Sequence, residues 1–428
     1  MPEGNKKTAE ELFVAPAARA GSLKELWSLY IVPELQLILK GALTLIGKFI
    51  TSPREVFSPG MVDVNYLCYI IVLTVSGLAV HYSASYRSFK QVIYAVGGLV
   101  LMLLVSQFRI KAYKLISCTI MGIATAFLFI VFAAPEINGT NRWFFGKLFQ
   151  PSEFGKVALI MFFAYLIEKY KDRRTEEKTF FSFFMITLVY AALILAEKHL
   201  SGAILFFCIG YAMMWYGGLN KRFFAVATCI IIIGVLFAVW KPEIFSFILK
   251  DYQIDRVVIW KKILFNGEIT AKEKLNNARQ VLQSLYGIGS GGLFGVGFGK
   301  SGQKVSNLSE KANDFIFAVI GEEFGFIGSM VMIAAFAALV IRGFRIAFRS
   351  NSYYGALLVL GISTQIALQV IINIAVTTSI LPNTGISLPF FSEGGSSMIF
   401  TMISMGLVLG VSKDSEKKVK KNNKKSGS

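Results

Sequence analysis

Three carboxylates lie within ten residues of one another in the segment "NDFIFAVIGEEFG", residues 313–325, which opens a long apolar run. Charged side chains are costly in hydrocarbon, so carboxylates there are functional candidates. On an ideal helix, Glu322 lies about 80° around and about 12 Å along the axis from Asp314, and Glu323 lies about 180° around from it. The three therefore cannot serve one small site. Asp314, at the mouth of the run, is the predicted catalytic carboxylate, with a helix N-cap as the alternative.

The other chemistry-bearing residues narrow the reaction. The chain has two histidines, His81 and His199, and it has no HExxH motif, nucleophile elbow or CxxC pair. Zinc hydrolysis and acyl transfer by a Ser–His–Asp triad are therefore disfavoured. A carboxylate can take a proton from an attacking hydroxyl, while arginine and lysine stabilise a phosphate leaving group. Glycosyl transfer from a lipid pyrophosphate would use these groups, and so would the binding and flipping of an anionic lipid.

Further polar residues follow helical spacing. Glu153 and Lys156 stand at i, i+3 and can form an ion pair, which either sets the orientation of a helix or contacts a ligand. Gln365, Gln369 and Asn373 are spaced by four residues, so they share one helical face. That face is expected to look into a helix bundle, with hydrogen bonding between helices as the alternative role.

Two segments have the composition of irregular backbone. Residues 283–304 contain eight glycines, which either expose backbone amides to an anion or form a flexible loop without a ligand. Residues 381–397, "LPNTGISLPFFSEGGSS", combine two prolines with three glycines and Glu393. At membrane depth such backbone is tolerated only inside protein or against a polar cavity.

Composition places these residues in a membrane protein. Of the 428 residues, 54% are hydrophobic and 16% are charged, whereas soluble domains carry about 25% charged residues. Apolar stretches long enough to span hydrocarbon recur along the chain. They predict an all-α polytopic membrane protein with about ten transmembrane helices, at residues 64–82, 91–107, 113–134, 153–168, 180–197, 202–217, 222–240, 314–341, 353–378 and 396–412.

The distribution of positive charge sets the predicted topology. With the N-terminus inside, the inner loops and the tail hold 20 lysines and arginines, against five in the short outer loops, so both termini are expected to be cytoplasmic. Residues 1–62 are then a cytoplasmic extension, with an amphipathic helix on the membrane surface within residues 26–50. Residues 413–428 form a basic, disordered cytoplasmic tail. Because most of the net charge of +18 serves topology, no nucleic-acid partner is expected.

One outer loop is much larger than the others. Residues 241–313, between spans seven and eight, hold 11 lysines and arginines against six acidic residues. Long loops escape the topological charge rule, so this positive charge is free to bind an anionic ligand; a solvated basic surface is the alternative.

These segments resemble the FtsW/RodA/SpoVE family, the SEDS (shape, elongation, division and sporulation) proteins. The resemblance covers about residues 63–411 and implies a SEDS-type bundle over 63–412. It rests on "YSAS", "NRW…FQPSEFGK", "EKHLSGA", "YQIDR", "QSLYGIGSGGLFGVGFG", "NDFIFAVIGEEFG" and "NTGISLPFFSEGGSS".

The resemblance implies a peptidoglycan glycosyltransferase that polymerises lipid II at the outer face of the bacterial cytoplasmic (inner) membrane. Its expected partners are a class B penicillin-binding protein, which is a transpeptidase, and other proteins of the division or elongation complex. Asp314 would be the general base on the 4-hydroxyl of the acceptor N-acetylglucosamine, with undecaprenyl pyrophosphate as the leaving group. A divalent cation, Mg²⁺ or Mn²⁺, would be an assisting cofactor, although no ligand cluster in the sequence requires a metal.

Two further sets of polar residues are predicted, and by resemblance Arg142, Glu153, Lys156 and Arg256 fall on polar motif positions of the family. The predicted substrate-binding residues are Arg142, Glu153, Lys156, Arg256, Gln283, Ser284, Ser290 and Lys300. The residues predicted to hold the structure together or to line a polar cavity are Glu322, Glu323, Gln365, Asn373 and Ser396.

Some positions depart from the family pattern. Glu393 stands where tyrosine is usual in "SYGGSS", Asn383 replaces a small apolar residue, and Lys198–His199 replaces Pro–Asp or Pro–His. These departures leave open the division, elongation or sporulation branch and the identity of the partner. Two other functions remain open on the sequence, a lipid II flippase and a non-catalytic scaffold for the transpeptidase.

Overall fold

The structure is a computed structural model that describes residues 61–84, 89–135, 142–144, 148–247, 251–265, 267, 268, 270, 278–302 and 313–425. The predicted surface helix within residues 26–50 lies outside the described residues. The helices of the described part are α1 Val64–Ala84, α2 Lys90–Val105, α3 Ile110–Ile130, α4 Pro151–Lys169, α5 Glu177–Ala196, α6 Leu200–Tyr216, α7 Lys221–Trp240, α8 Asp251–Leu264, α9 Arg279–Gly291, α10 Ile316–Arg349, α11 Tyr353–Thr377 and α12 Gly395–Lys425.

The prediction of an all-α polytopic membrane protein is confirmed. A helix lies at each of the ten predicted apolar stretches, and the additional helices α8 and α9 lie in the predicted large loop. Seven of the described helices have the length and composition to cross a membrane, whereas α2 and α6 are shorter and α4 does not meet these criteria. The count of ten spans therefore stays a prediction. The last helix, α12, continues to Lys425 through residues predicted to be a disordered tail.

The helices differ in how far their neighbours cover them, as α4 and α7 show. Helix α4 carries Glu153, Lys156, Glu168 and Lys169, and it packs between α3, α6, α11 and α12. Helix α7 consists almost entirely of apolar residues, and almost all of its side chains are exposed on the outside of the bundle. Polar side chains are costly against lipid, so a helix that carries four charged residues is stabilised by neighbours that enclose it.

Helix α10 is broken near its start, although the sequence predicts one continuous span over 314–341. Gly325 has φ +66°, which is outside the helical region. The break leaves backbone groups without helical partners, and the glycine-rich segment satisfies them. The Val296 and Gly297 amides donate to the Glu322 and Glu323 carbonyls at 2.9 and 3.0 Å. In return, the Phe326 and Ile327 amides donate to the Gly292 and Leu293 carbonyls at 2.9 and 3.1 Å.

These contacts give the glycines a structural role that neither sequence-based interpretation included. A Cβ at Gly295, which has φ +80°, would lie 2.6 Å from the Phe324 backbone nitrogen, and a Cβ at Gly325 would lie 2.7 Å from the Leu293 carbonyl oxygen. The glycines therefore let two backbones approach closely. In this part of the segment, backbone amides bind the broken helix.

Candidate functional site

A polar cavity of about 780 Å³ lies at the end of the bundle that the predicted topology places outside the cell. It is formed by the start of α2, the segment before α4, the N-terminal ends of α4 and α6, the residues before α10, one residue each from α8, α9 and α11, and the connection from α11 to the start of α12. Its charged side chains are Lys90, Arg142, Glu153, Lys156, Arg256, Asp314 and Glu393. The cavity therefore combines four cations with three carboxylates.

Asp314 is half-buried at the cavity wall, two residues before α10 begins. Phe315 occupies the N-cap position of that helix, so the capping position itself does not belong to Asp314. The Asn373 amide on α11 donates to the Asp314 carbonyl at 2.9 Å and to the Ile386 carbonyl at 2.6 Å. Gly385 has φ +71°, and a Cβ there would lie 3.0 Å from Asp314 Oδ2. A glycine at this position thus leaves room for the carboxylate.

Glu153 and Lys156 form the ion pair that their spacing predicts. The Lys156 ammonium donates to Glu153 Oε1 at 2.8 Å, and both side chains are buried. Pro151 begins α4, which suits a residue that lacks a backbone donor, and Glu153 in the first turn complements the helix dipole. The pair lines the cavity wall, so its ammonium can contact a bound anion while the carboxylate holds it in place.

The turn between α5 and α6 adds two titratable groups outside both helices, the buried Glu197 and the half-buried His199. Burial raises the pKa of the Glu197 carboxyl to about 8, while the nearby Arg142 guanidinium acts in the opposite direction. Burial, together with the positive charges of Arg142 and Lys156, lowers the pKa of His199 to about 3. At neutral pH, His199 is therefore a neutral imidazole. Its Nδ1 lies 3.3 Å from Gln150 Nε2, and an amide nitrogen can only donate, so Nδ1 accepts.

Five of the predicted site residues line this cavity: Arg142, Glu153, Lys156, Arg256 and Asp314. The other four predicted substrate-binding residues do not line it. The Ser284 hydroxyl is buried and donates to the Thr377 carbonyl at 2.8 Å, the Ser290 hydroxyl donates to the Gly287 carbonyl, and Lys300 is exposed. Gln283 is half-buried. Ser284 thus contacts α11, and Ser290 and Lys300 are exposed, which spacing alone does not reveal.

The second predicted set lies behind the cavity. Glu322 accepts hydrogen bonds from the Ser301 hydroxyl and, at 2.8 Å, from the Gly302 amide. Glu323 accepts from the Ser83 hydroxyl of α1 at 2.6 Å. Asn373 holds the backbone beside Asp314. Gln365 and Ser396 are buried, and the Gln365 Oε1 and Ser396 Oγ atoms have no hydrogen-bond partner among the described residues.

Several cavity residues were not predicted as site residues. These are Lys90, Gln280, Gln369, Asn383 and Glu393. The exposed Glu393 carboxylate lies 3.8 Å from the Nε2 atom of the buried His81. In the sequence, Lys90 has the pattern of an ordinary loop residue. Asn383 and Glu393 could have been recognised as cavity residues, because both depart from the family pattern and both lie in the irregular segment.

A divalent cation would need several carboxylate, imidazole or thiolate ligands close together in the cavity. No group of three His, Cys, Asp or Glu side chains comes together in the part of the chain that the structure describes. Glu153 is already paired with Lys156. The described side chains thus do not form a metal site by themselves.

Comparison with known proteins gives a consistent result. The profile of the FtsW/RodA/SpoVE family, described as "Cell cycle protein", matches residues 60–417. The chain is 31% identical over 369 residues to the probable peptidoglycan glycosyltransferase FtsW of Geobacter sp., covering 82% of this chain and 96% of that protein. It is 32% identical over 363 residues to stage V sporulation protein E of Bacillus subtilis, covering 80% of this chain and 94% of that protein.

Solved structures share the fold. One is described as "Structural coordination of polymerization and crosslinking by a peptidoglycan synthase complex", with a TM-score of 0.70, 25% identity, and coverage of 83% of this chain and 98% of that chain. Another is the rod shape determining protein RodA of Thermus thermophilus, with a TM-score of 0.59, 23% identity, and coverage of 82% and 97%. The second likeness concerns the fold alone.

Proposed function

Because this chain belongs to the FtsW/RodA/SpoVE family, we propose that it is a peptidoglycan glycosyltransferase that polymerises lipid II into glycan strands. Relatives named as probable peptidoglycan glycosyltransferases support the proposal. The observation that carries it is the cavity, in which the Asp314 carboxylate lies in one space with Lys90, Arg142, Lys156 and Arg256. A base for a hydroxyl and cations for a pyrophosphate are the two things that glycosyl transfer from a lipid pyrophosphate requires.

In the proposed reaction, Asp314 takes the proton from the 4-hydroxyl of the acceptor N-acetylglucosamine. The freed oxygen forms a bond to the anomeric carbon of the donor strand as the bond between that carbon and the pyrophosphate oxygen breaks. The electron pair leaves with undecaprenyl pyrophosphate, whose added negative charge the cavity cations stabilise. Lys156 is held for this role by Glu153, and a fixed cation in a site that excludes water stabilises developing charge more than a mobile one does.

The proposal also implies a cellular location and a set of partners. The predicted topology puts both termini in the cytoplasm and the cavity at the outer face of the cytoplasmic membrane, where lipid II is polymerised. A solved complex of the same fold is described as coordinating polymerization and crosslinking. We therefore expect this chain to work with a class B penicillin-binding protein, together with other division or elongation proteins.

The test is a gel assay of strand formation from labelled lipid II, with purified protein alone and with the cognate transpeptidase. Wild type and the matched control Asp172→Asn, an exposed aspartate in the loop after α4, should make long strands. Asp314→Asn should make none while keeping the wild-type melting temperature and partner binding. Strands from Asp314→Asn would exclude it as the base. An inactive wild type with its partner present would contradict polymerisation, and lipid II flipping in vesicles would then be measured.

A further inference from the structure

The cavity cation Arg256 belongs to α8, a helix of the large loop and not one of the predicted spans. Its position depends on what fastens α8 to the rest of the site. Arg256 Nη1 donates to the Asn383 carbonyl at 3.3 Å. One turn further along α8, Trp260 Nε1 donates to the Ser379 carbonyl at 3.0 Å. Both acceptors belong to the connection between α11 and α12.

That connection is tied in turn to the second loop helix. The Asn383 side-chain amide donates to Gln280 Oε1 of α9 at 3.1 Å. Ser284, one turn along α9 from Gln280, donates to the Thr377 carbonyl at the end of α11. The two loop helices therefore meet on the same short stretch of backbone. Asn383 is the residue that contacts both of them, α8 through its carbonyl and α9 through its side chain.

The same stretch also supports the catalytic carboxylate. Two residues after Asn383, Gly385 lies against Asp314 Oδ2, and one residue later the Ile386 carbonyl shares the Asn373 amide with the Asp314 carbonyl. Residues 383–386, which we call the strap, thus run from the partner of Arg256 to the partner of Asp314. Movement of the strap would change the distance between the proposed base and a proposed pyrophosphate cation.

We propose that Gln280 and Asn383 are a positioning pair, which holds the strap so that Arg256 points into the cavity for the pyrophosphate of the lipid substrate. This inference rests on the proposed function, because it assigns the pair to the binding of that substrate. Neither residue needs to touch the reacting atoms. Their amides are uncharged, so their effect on an anionic ligand passes through the guanidinium that they place.

The experiment measures KM and kcat for lipid II, and the equilibrium Kd of lipid II, with the full-length protein and its transpeptidase. The variants are Asn383→Ala, Gln280→Ala and Gln280→Met, and each change is also made in an Arg256→Ala background. Gln280→Met keeps the length of the side chain without the amide acceptor. Gln107→Ala is the matched control, because Gln107 is an amide at the other end of the bundle, where it accepts from Lys413 at 2.8 Å.

Loss of either amide is expected to raise KM and Kd about five- to tenfold, the effect of one hydrogen bond, with kcat within about twofold of wild type. Gln280→Met should behave like Gln280→Ala. In the Arg256→Ala background, neither change should add to the loss, because the residue through which the pair acts is gone. The control should match wild type throughout.

Three results would overturn the positioning role: wild-type KM and Kd in the variants, equal losses with and without Arg256, or a lower melting temperature as the only effect. Wild type that binds lipid II without making strands would contradict polymerisation alone, and the Kd ratios would then decide the role of the pair. Wild type that neither binds nor polymerises lipid II would overturn both proposals.

Discussion

Asp314 and Glu322 lie eight residues apart on one segment, yet their surroundings differ. Asp314 borders a cavity that also holds four cations. Glu322 is buried against the glycine-rich segment, where a hydroxyl and a backbone amide donate to its two oxygens. Glu323, next along the chain, binds α1 instead. The difference shows that carboxylates close together on one segment can lie in unlike surroundings, one at a cavity wall and one buried against protein.

The largest expected effect separates these carboxylates by activity. Asp314→Asn should lower kcat/KM for strand formation by about 10²- to 10⁴-fold, the usual contribution of a general base. Glu323→Gln keeps an acceptor for the Ser83 hydroxyl, so the folded protein should keep its kcat/KM within a few-fold of wild type. Steady-state strand synthesis by purified, folded protein measures both. Equal losses would mean that the two carboxylates act in one site.

The next effect concerns the buried pair on α4. Lys156→Ala leaves the Glu153 carboxylate buried without its cation, which should cost about 3–5 kcal/mol of stability. Adding Glu153→Gln should restore most of that stability without restoring lipid II binding, because the cavity cation is still missing. Thermal unfolding and lipid II binding would be measured on both variants. Full recovery of binding in the double variant would show that Lys156 only neutralises Glu153.

A glycine substitution tests the contact between the glycine-rich segment and the break in α10. Gly295→Ala combines a positive φ with an overlap against the backbone of α10, so it should destabilise the protein by about 2–4 kcal/mol. Gly289→Ala is the matched control, because nothing lies within 4 Å of its Cβ position in α9. Its stability should change by less than about 1 kcal/mol. Thermal unfolding measures both, and equal stabilities would contradict the close backbone approach.

The last effect depends on pH. The pKa of Glu197 is raised to about 8 by burial, so between its ordinary range and about pH 8 the folded protein binds a proton that the unfolded chain has lost. This group's contribution to stability therefore falls as pH rises through that window. Glu197→Gln cannot ionise, so its advantage over wild type in free energy of unfolding should be about 3 kcal/mol larger at pH 8 than near pH 5, since one pKa unit corresponds to about 1.4 kcal/mol. A pH-independent difference would mean that the carboxyl is already ionised at neutral pH.

Much of the fold and part of the site could be predicted from the sequence. The apolar runs located ten helices, and an i, i+3 spacing was enough to pair Glu153 with Lys156. Asp314 was singled out because it lies at the mouth of an apolar run, and it lines the cavity. The break at Gly325 was missed, because a single glycine inside an apolar run does not reveal that another backbone will occupy the gap.

The sequence by itself determined that this is a helical membrane protein of the FtsW/RodA/SpoVE family, because hydropathy and motif order are properties of contiguous residues. Only the tertiary structure decided which polar residues share the cavity. Gln280 and Asn383 are 103 residues apart yet form a hydrogen bond. Ser284, only four residues from Gln280, donates instead to the Thr377 carbonyl. Contacts of this kind depend on how helices pack around one another, and local spacing carries no record of that packing.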